Sequence, residues 1–174
     1  VRNDPPEFAH HDNLPVRETS QSRLTVFAGS LDDLAAPTKL FSEMVGGELV
    51  LKRDAQISIP VERSFEYGVL VVSGSAQVNG VSTATGQLVY LEPGVDSLEF
   101  TSLNEPATLI ILGGTPFEEK LVMWWNFIGR DHDEIAKARE EWNARAPRFG
   151  DFEDKIGGWI PAPELPSVRL RPRG

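Results

Sequence analysis

The sequence predicts an all-β barrel followed by one helix near the C-terminus. Three observations carry this reading. Short runs of apolar alternation recur between Gly47 and Gly113. Turn signals separate them every ~8 to 12 residues, the spacing of a sandwich or barrel. No helical periodicity intervenes before Asp131, which excludes alternating β-α-β units.

Taken in order, residues 1–15 are Pro-rich and polar and read as a linker or arm. "RLTVFAG" is strand-like and ends at Gly29, and "SLDDLAAPTKLF" carries turn chemistry in Asp32, Asp33 and Pro37. "GELVLK", "AQISIP" and "FEYGVLVVSG" follow as strands, the last closed by Ser73-Gly74. "SAQVNG" ends in the hairpin signal Asn79-Gly80. "GQLVYLEPG" starts at a glycine and ends in a Pro-Gly turn. "DSLEFTS" alternates, and "ATLIILGG" reads as the most buried strand. The expected barrel spans 16–117, with a strap strand and helix over 118–150 and a Pro-rich tail over 151–174.

Asp131 followed by Glu134 resembles a capping box with Asp in place of Ser or Thr. Ile135, Ala138, Trp142 and Ala146 form one stripe, and Pro147 is expected to end the helix. Upstream, two adjacent tryptophans stand in "LVMWWNF". Neighbours on an extended strand face opposite ways. One is therefore expected under the helix against Ile135 or Trp142, the other toward an absent barrel or the tail. Trp159 and Ile160 suggest that part of the tail lies across the barrel.

Composition bounds the function. The 174 residues suit one domain with extensions, and 40% hydrophobic content suffices for a core. No run approaches the ~20 apolar residues of a membrane span. With no cysteine, disulfides, thiolate nucleophiles and Cys-based zinc sites are excluded, which fits a cytoplasmic location. A net charge of −9 argues against direct nucleic-acid binding, and the basic end "VRLRPRG" reads as a solvated tail. The start at Val1 lacks both an initiator Met and a signal-peptide pattern, so a longer native reading frame is expected.

Chemistry-bearing motifs are sparse. There is no P-loop, G-x-G-x-x-G or G-x-S-x-G. No histidine lies between Asp12 and Asp131, so a nucleophilic triad has no base in the strand region. His10-His11 sit in the arm, and His132 in the first turn of the helix reads as a solvated or capping residue.

"GQLVYLEPG" has the form of a second cupin motif, and "FEYGVLVVSGSAQVNG" that of the end of a first. The resemblance implies a cupin-type double-stranded β-barrel, a jelly roll. Cupins hold a divalent metal with two His and a Glu from the first motif and a His from the second. Here those stretches read "PVER" and "VDSLEF". Glu62, Glu66 and Asp96 could supply oxygens, but the imidazoles of that donor set are missing, so no metal site is expected.

"TPFEEKLVMWWNFIGRDHDEIAKAREEW" with "RFG" further resembles the pirin family. The matching residues are Gly113, Gly114 and Pro116, Trp124 to Phe127, Asp133 to Ile135, and Arg148 to Gly150; "PEFAHHDNLPV" resembles the linker between that family's two barrels. The resemblance covers only the second half of such a bicupin. It implies that iron or another divalent metal, and quercetin (flavonol) dioxygenase activity, belong to a first barrel not contained here.

Three functions follow as expectations. The first is a metal-free domain without cofactor or catalytic residue, acting in structure, dimerisation or protein interaction. Its expected partners are a second copy, the first cupin or another protein, through Trp124, Trp125, Asn126, Phe127 and Trp159. The second is one half of a metal-dependent dioxygenase. The third is a metal-free small-molecule barrel with Glu62, Glu66 and Tyr67 lining its pocket; cross-strand surface pairing is the plainer reading of Glu66 and Tyr67.

Overall fold

The computed structural model describes residues 7–150 and 158–172. It divides into two compact units, one over Ala9–Pro116 and one gathering the described residues from Phe117 onward with Glu7 and Phe8.

The first unit is two antiparallel sheets. Its strands are β1 (Val16–Glu18), β2 (Ser22–Ala28), β3 (Ser30–Leu31), β4 (Leu34–Ala35), β5 (Met44–Leu51) and β6 (Gln56–Pro60), then β7 (Glu66–Ser73), β8 (Ser75–Val78), β9 (Val81–Ala84), β10 (Leu88–Leu91), β11 (Ser97–Ser102) and β12 (Ala107–Gly114). The six-stranded sheet has the order β1-β2-β5-β12-β7-β10 and the four-stranded sheet β6-β11-β8-β9. β3 and β4 form a separate small hairpin.

Period-two alternation decides what is buried. β7 buries Tyr67, Val69 and Val71 and turns Glu66, Gly68 and Leu70 outward. β5 and β12 add Leu49, Leu51, Leu109 and Ile111, and the smaller sheet adds Ile59, Val78, Leu98 and Phe100. Fully burying each such aliphatic or aromatic side chain stabilises by about 1.5–3 kcal/mol before conformational entropy is counted.

All eight expected strands are present. The unpredicted ones are short: β1, β9 and the β3–β4 hairpin have two to four residues each. The turn reading of Asp32-Asp33 holds. Both have positive φ (50° and 62°), as do Asn79 and Gly80 (45° and 81°), the backbone of two-residue type I′ hairpins.

The second unit starts with a hairpin, β13 (Val122–Trp124) and β14 (Phe127–Gly129), then α1 (His132–Asn143) and a 3-10 turn, Pro147–Phe149. Here the expected single strap strand is corrected. Trp124 pairs with Phe127, so Trp125 and Asn126 are the turn, and Trp125 has φ 51°. Both tryptophan rings pack against Phe127, Trp124 from the strand and Trp125 from the turn. The helix also stops before Pro147. Arg145 takes φ 55°, its N–H reaches the Trp142 carbonyl at 2.9 Å, and the Ala146 N–H reaches the Glu141 carbonyl at 2.8 Å. That is a Schellman ending, so Ala146 lies outside the stripe.

The tail reading is corrected as well. Residues 158–172 bond to the hairpin–helix unit: Trp142 Nε1 donates to the Ile160 carbonyl, and Asn143 and Ala162 exchange two bonds. The basic end is not simply solvated, since Arg169 pairs with Asp133 and Leu170 packs on the unit's core.

Candidate functional site

The two loops where cupin ligands would stand are joined to each other. The Val61 N–H donates to the Asp96 carbonyl at 3.0 Å, and the Gly94 N–H to the Arg63 carbonyl at 2.8 Å. An Arg63–Asp96 ion pair at 2.6 Å bridges them on the outside. Being exposed at both ends, it adds at most about 1 kcal/mol. The backbone bonds hold the register.

Below these loops Tyr67 fills the interior. It is 1% exposed, and its hydroxyl donates to the Glu62 carbonyl at 2.9 Å. Burial pushes this phenol up to about 12. Gly113, opposite Tyr67 in register, makes room: a Cβ there would lie 2.5 Å from the ring. The surface reading of Tyr67 is thereby corrected, because its position on β7 has the inward parity.

Glu62 and Tyr67 line one cavity of about 330 Å³ with Asp32, Asp33 and Phe65. A wider cleft of about 870 Å³ beside it is lined by Phe41, Glu43, Glu62 and Phe65. Glu66 lines neither cavity. It lies on the opposite face of β7 and accepts a 2.6 Å bond from the Tyr90 hydroxyl on the neighbouring strand, which raises the Tyr90 pKa.

The donor set does not fit a cupin metal. The three carboxylates that the cupin-like motifs offer are otherwise engaged. Glu62 accepts from the Ser64 N–H and hydroxyl, which lower its pKa; Glu66 holds Tyr90; Asp96 holds Arg63. Among the described residues, no three His, Cys, Asp or Glu side chains group as a metal would need. Sequence reasoning missed the Arg63–Asp96 pair. Opposite charges at two matched motif positions are the signal that could have found it.

Part of the outer face of the six-stranded sheet, over β10, β7 and β12, is apolar. Leu88, Leu70 and Ile110 stand in one cross-strand row; Tyr90 and Leu112 flank Gly68 in the next. Leu88 and Tyr90 are each 56% exposed and Leu112 49%.

In the second unit the candidate interface rings pack on one another. Trp125 meets Trp142 edge-on at 5.7 Å, Phe127 lies 5.3 Å from Trp125, and Trp142 stacks on Trp159 at 4.2 Å. Trp124 stacks beside Phe127 at 6.4 Å and lines a groove with tail residues 168–172. Of the five candidates only Asn126 is exposed; Met123 and Ile128 are the hairpin's outward apolar side chains.

The family model for the pirin C-terminal cupin domain matches residues 47–150. This chain belongs to the pirin C-terminal cupin family. Its match runs from within β5 to the 3-10 turn, and so takes in parts of both units. A Pseudomonas aeruginosa protein, PA1205, carrying a provisional quercetin 2,3-dioxygenase name, is 35% identical over 161 residues, 92% of this chain and 51% of that one. A crystal structure of quercetin 2,3-dioxygenase from Acinetobacter baumannii superposes with TM-score 0.84 at 34% identity, over 97% of this chain and 56% of that one. A second structure of that name from the same organism has TM-score 0.70 at 21% identity over 79% of this chain and 48% of that one, and supports the cupin fold alone. The pirin C-terminal cupin thus spans about half the length of the relatives it matches.

Proposed function

We propose that this chain is a metal-free cupin acting in structure and association, pairing with another barrel rather than turning over a substrate itself. One observation carries the reading: the loops that would present metal ligands are bonded to each other over a buried tyrosine. The apolar outer sheet face supplies the surface, since contiguous exposed apolar area marks an interaction site. The partner is a second copy or the other half of a longer pirin-type protein.

Metal analysis of the purified chain tests this reading. Iron, nickel, copper or manganese is expected far below one equivalent. A stoichiometric metal that survives removal of residues 1–12 overturns it, because that deletion takes away His10 and His11.

A second reading is favoured by the names of the relatives. In it the chain is half of a quercetin dioxygenase whose metal sits in a separate cupin. Quercetin oxidation is then expected only from a protein that also carries a His-bearing barrel, and the present chain alone gives the buffer rate. The cavity at Glu62 and Tyr67 also keeps a small-molecule role in view; a thermal-shift screen tests it, since a ligand bound by the folded state raises Tm.

A further inference from the structure

The tail segment 158–172 is held by two clamps that differ in kind. The proximal clamp has no titrating acceptor. Trp142 Nε1 donates to the Ile160 carbonyl at 2.9 Å, the Ala162 N–H donates to Asn143 Oδ1 at 2.8 Å, and Asn143 Nδ2 returns a 3.2 Å bond to the Ala162 carbonyl. The distal clamp rests on an imidazole. The Leu170 N–H donates to His132 Nδ1 at 3.1 Å, and next to it Arg169 Nη2 bonds Asp133 Oδ2 at 2.9 Å.

A ring nitrogen accepts a hydrogen bond only while it keeps its lone pair. A proton on Nδ1 turns the acceptor into a donor facing another donor, so Leu170 loses its partner. The same proton sets a second cation beside Arg169.

We propose that His132 is a pH-sensitive latch for the distal tail. Near neutral pH, residues 168–172 close along Leu121–Trp124. In mild acid, where imidazoles gain a proton, they release while the proximal clamp stays shut. In the closed state the tail and the hairpin together wall a groove of about 1130 Å³, lined by Val122, Met123, Trp124, Val168 and Leu170, and release removes its tail wall. This inference is independent of the metal-free reading.

The charges around the latch are known from each side. Asp131, Asp133 and Glu134 come from the start of α1, Arg130 precedes it, and Arg169 and Arg171 come from the tail; Leu121–Trp124 bring none. Asp131 Oδ1 already accepts the Glu134 N–H, and Glu134 Oε2 the Arg130 N–H. Arg130 Nε is taken by Glu119. Arg169 holds Asp133 below the usual carboxylate range, so Asp133 keeps its charge when an imidazole gains a proton. Exposed at both ends, that pair does little alone to hold the tail.

Amide hydrogen exchange tests the latch, with Ala162 as the internal reference for the proximal clamp. Between about pH 7.5 and about pH 5.5, Leu170 protection, corrected for intrinsic rate, is expected to fall about tenfold while Ala162 holds. His132→Gln keeps an acceptor that does not titrate and should stay closed at both pH values. His132→Lys mimics the charged ring and should be open at both. The proposal fails if Leu170 protection is unchanged, if it falls in step with Ala162, if the pH response survives in His132→Gln, or if His132→Lys keeps wild-type protection.

Discussion

Tyr67 and Glu66 are adjacent residues with opposite fates, and strand parity is the reason. Tyr67 points inward, buried, with its hydroxyl on the Glu62 carbonyl; Glu66 points outward and holds Tyr90. The Tyr67 phenol is pushed from 10.0 to about 12 in the fold, so folding favours its neutral form. Its contribution is full below pH 10 and is lost as pH rises toward 12, because the unfolded chain releases that proton first. Tyr67→Phe should flatten the loss of stability over that window in alkaline denaturation. At neutral pH it should cost about 1 kcal/mol, the net worth of one hydrogen bond. On the acid side the sign reverses for Glu62, whose bonds to Ser64 are lost as pH falls through its lowered pKa.

Helix α1 is specified at both ends by local chemistry. Asp131 Oδ1 accepts the Glu134 N–H at 2.9 Å, as the near-capping-box pattern predicts. The reciprocal bond is shifted by one residue: Glu134 reaches the Arg130 N–H instead of that of Asp131. Asp131→Ala should therefore lower the stability of the hairpin–helix unit by about 1 kcal/mol, read from tryptophan-monitored denaturation. At the other end Arg145 occupies the left-handed position that favours glycine, while its guanidinium lies 4.9 Å over the Trp159 ring. The hairpin was the least legible element. "WWNF" carries no glycine to announce a turn, and φ 51° at Trp125 is an uncommon conformation for a bulky residue. Packing of both rings against Phe127 sets it, and no local propensity points that way.

Each unit has its own core, and the aromatic residues divide between them. All four tryptophans lie in the second unit and both tyrosines in the first. Tryptophan fluorescence and tyrosine absorbance therefore report separate cores. Trp142→Ala should remove about 3 kcal/mol from the fluorescence-monitored transition and leave the tyrosine-monitored midpoint in place; coincident shifts in both would show one cooperative unit. If the outer sheet face pairs with a second copy, light scattering should give a dimer that Leu88→Asp with Leu112→Glu converts to monomer, with folding intact by circular dichroism. A monomer before mutation directs the search to the other half of a longer pirin-type protein.

The sequence by itself determined eight of the strands along the chain, the turn at Asp32-Asp33, the hairpin at Asn79-Gly80, the helix start and the pirin-type pattern. These depend on neighbours within a few residues, where periodicity and turn chemistry are decisive. It also showed that the metal-ligand positions hold the wrong residue types. The tertiary structure alone decided that Arg63 meets Asp96, that the tryptophan pair turns inward on its own hairpin, and that the tail closes on His132. Arg63 and Asp96 are 33 positions apart, and His132 and Leu170 38, while Trp125 meets Trp142 from the far end of the helix. Nothing in the local pattern of either partner says which distant segment will be brought beside it.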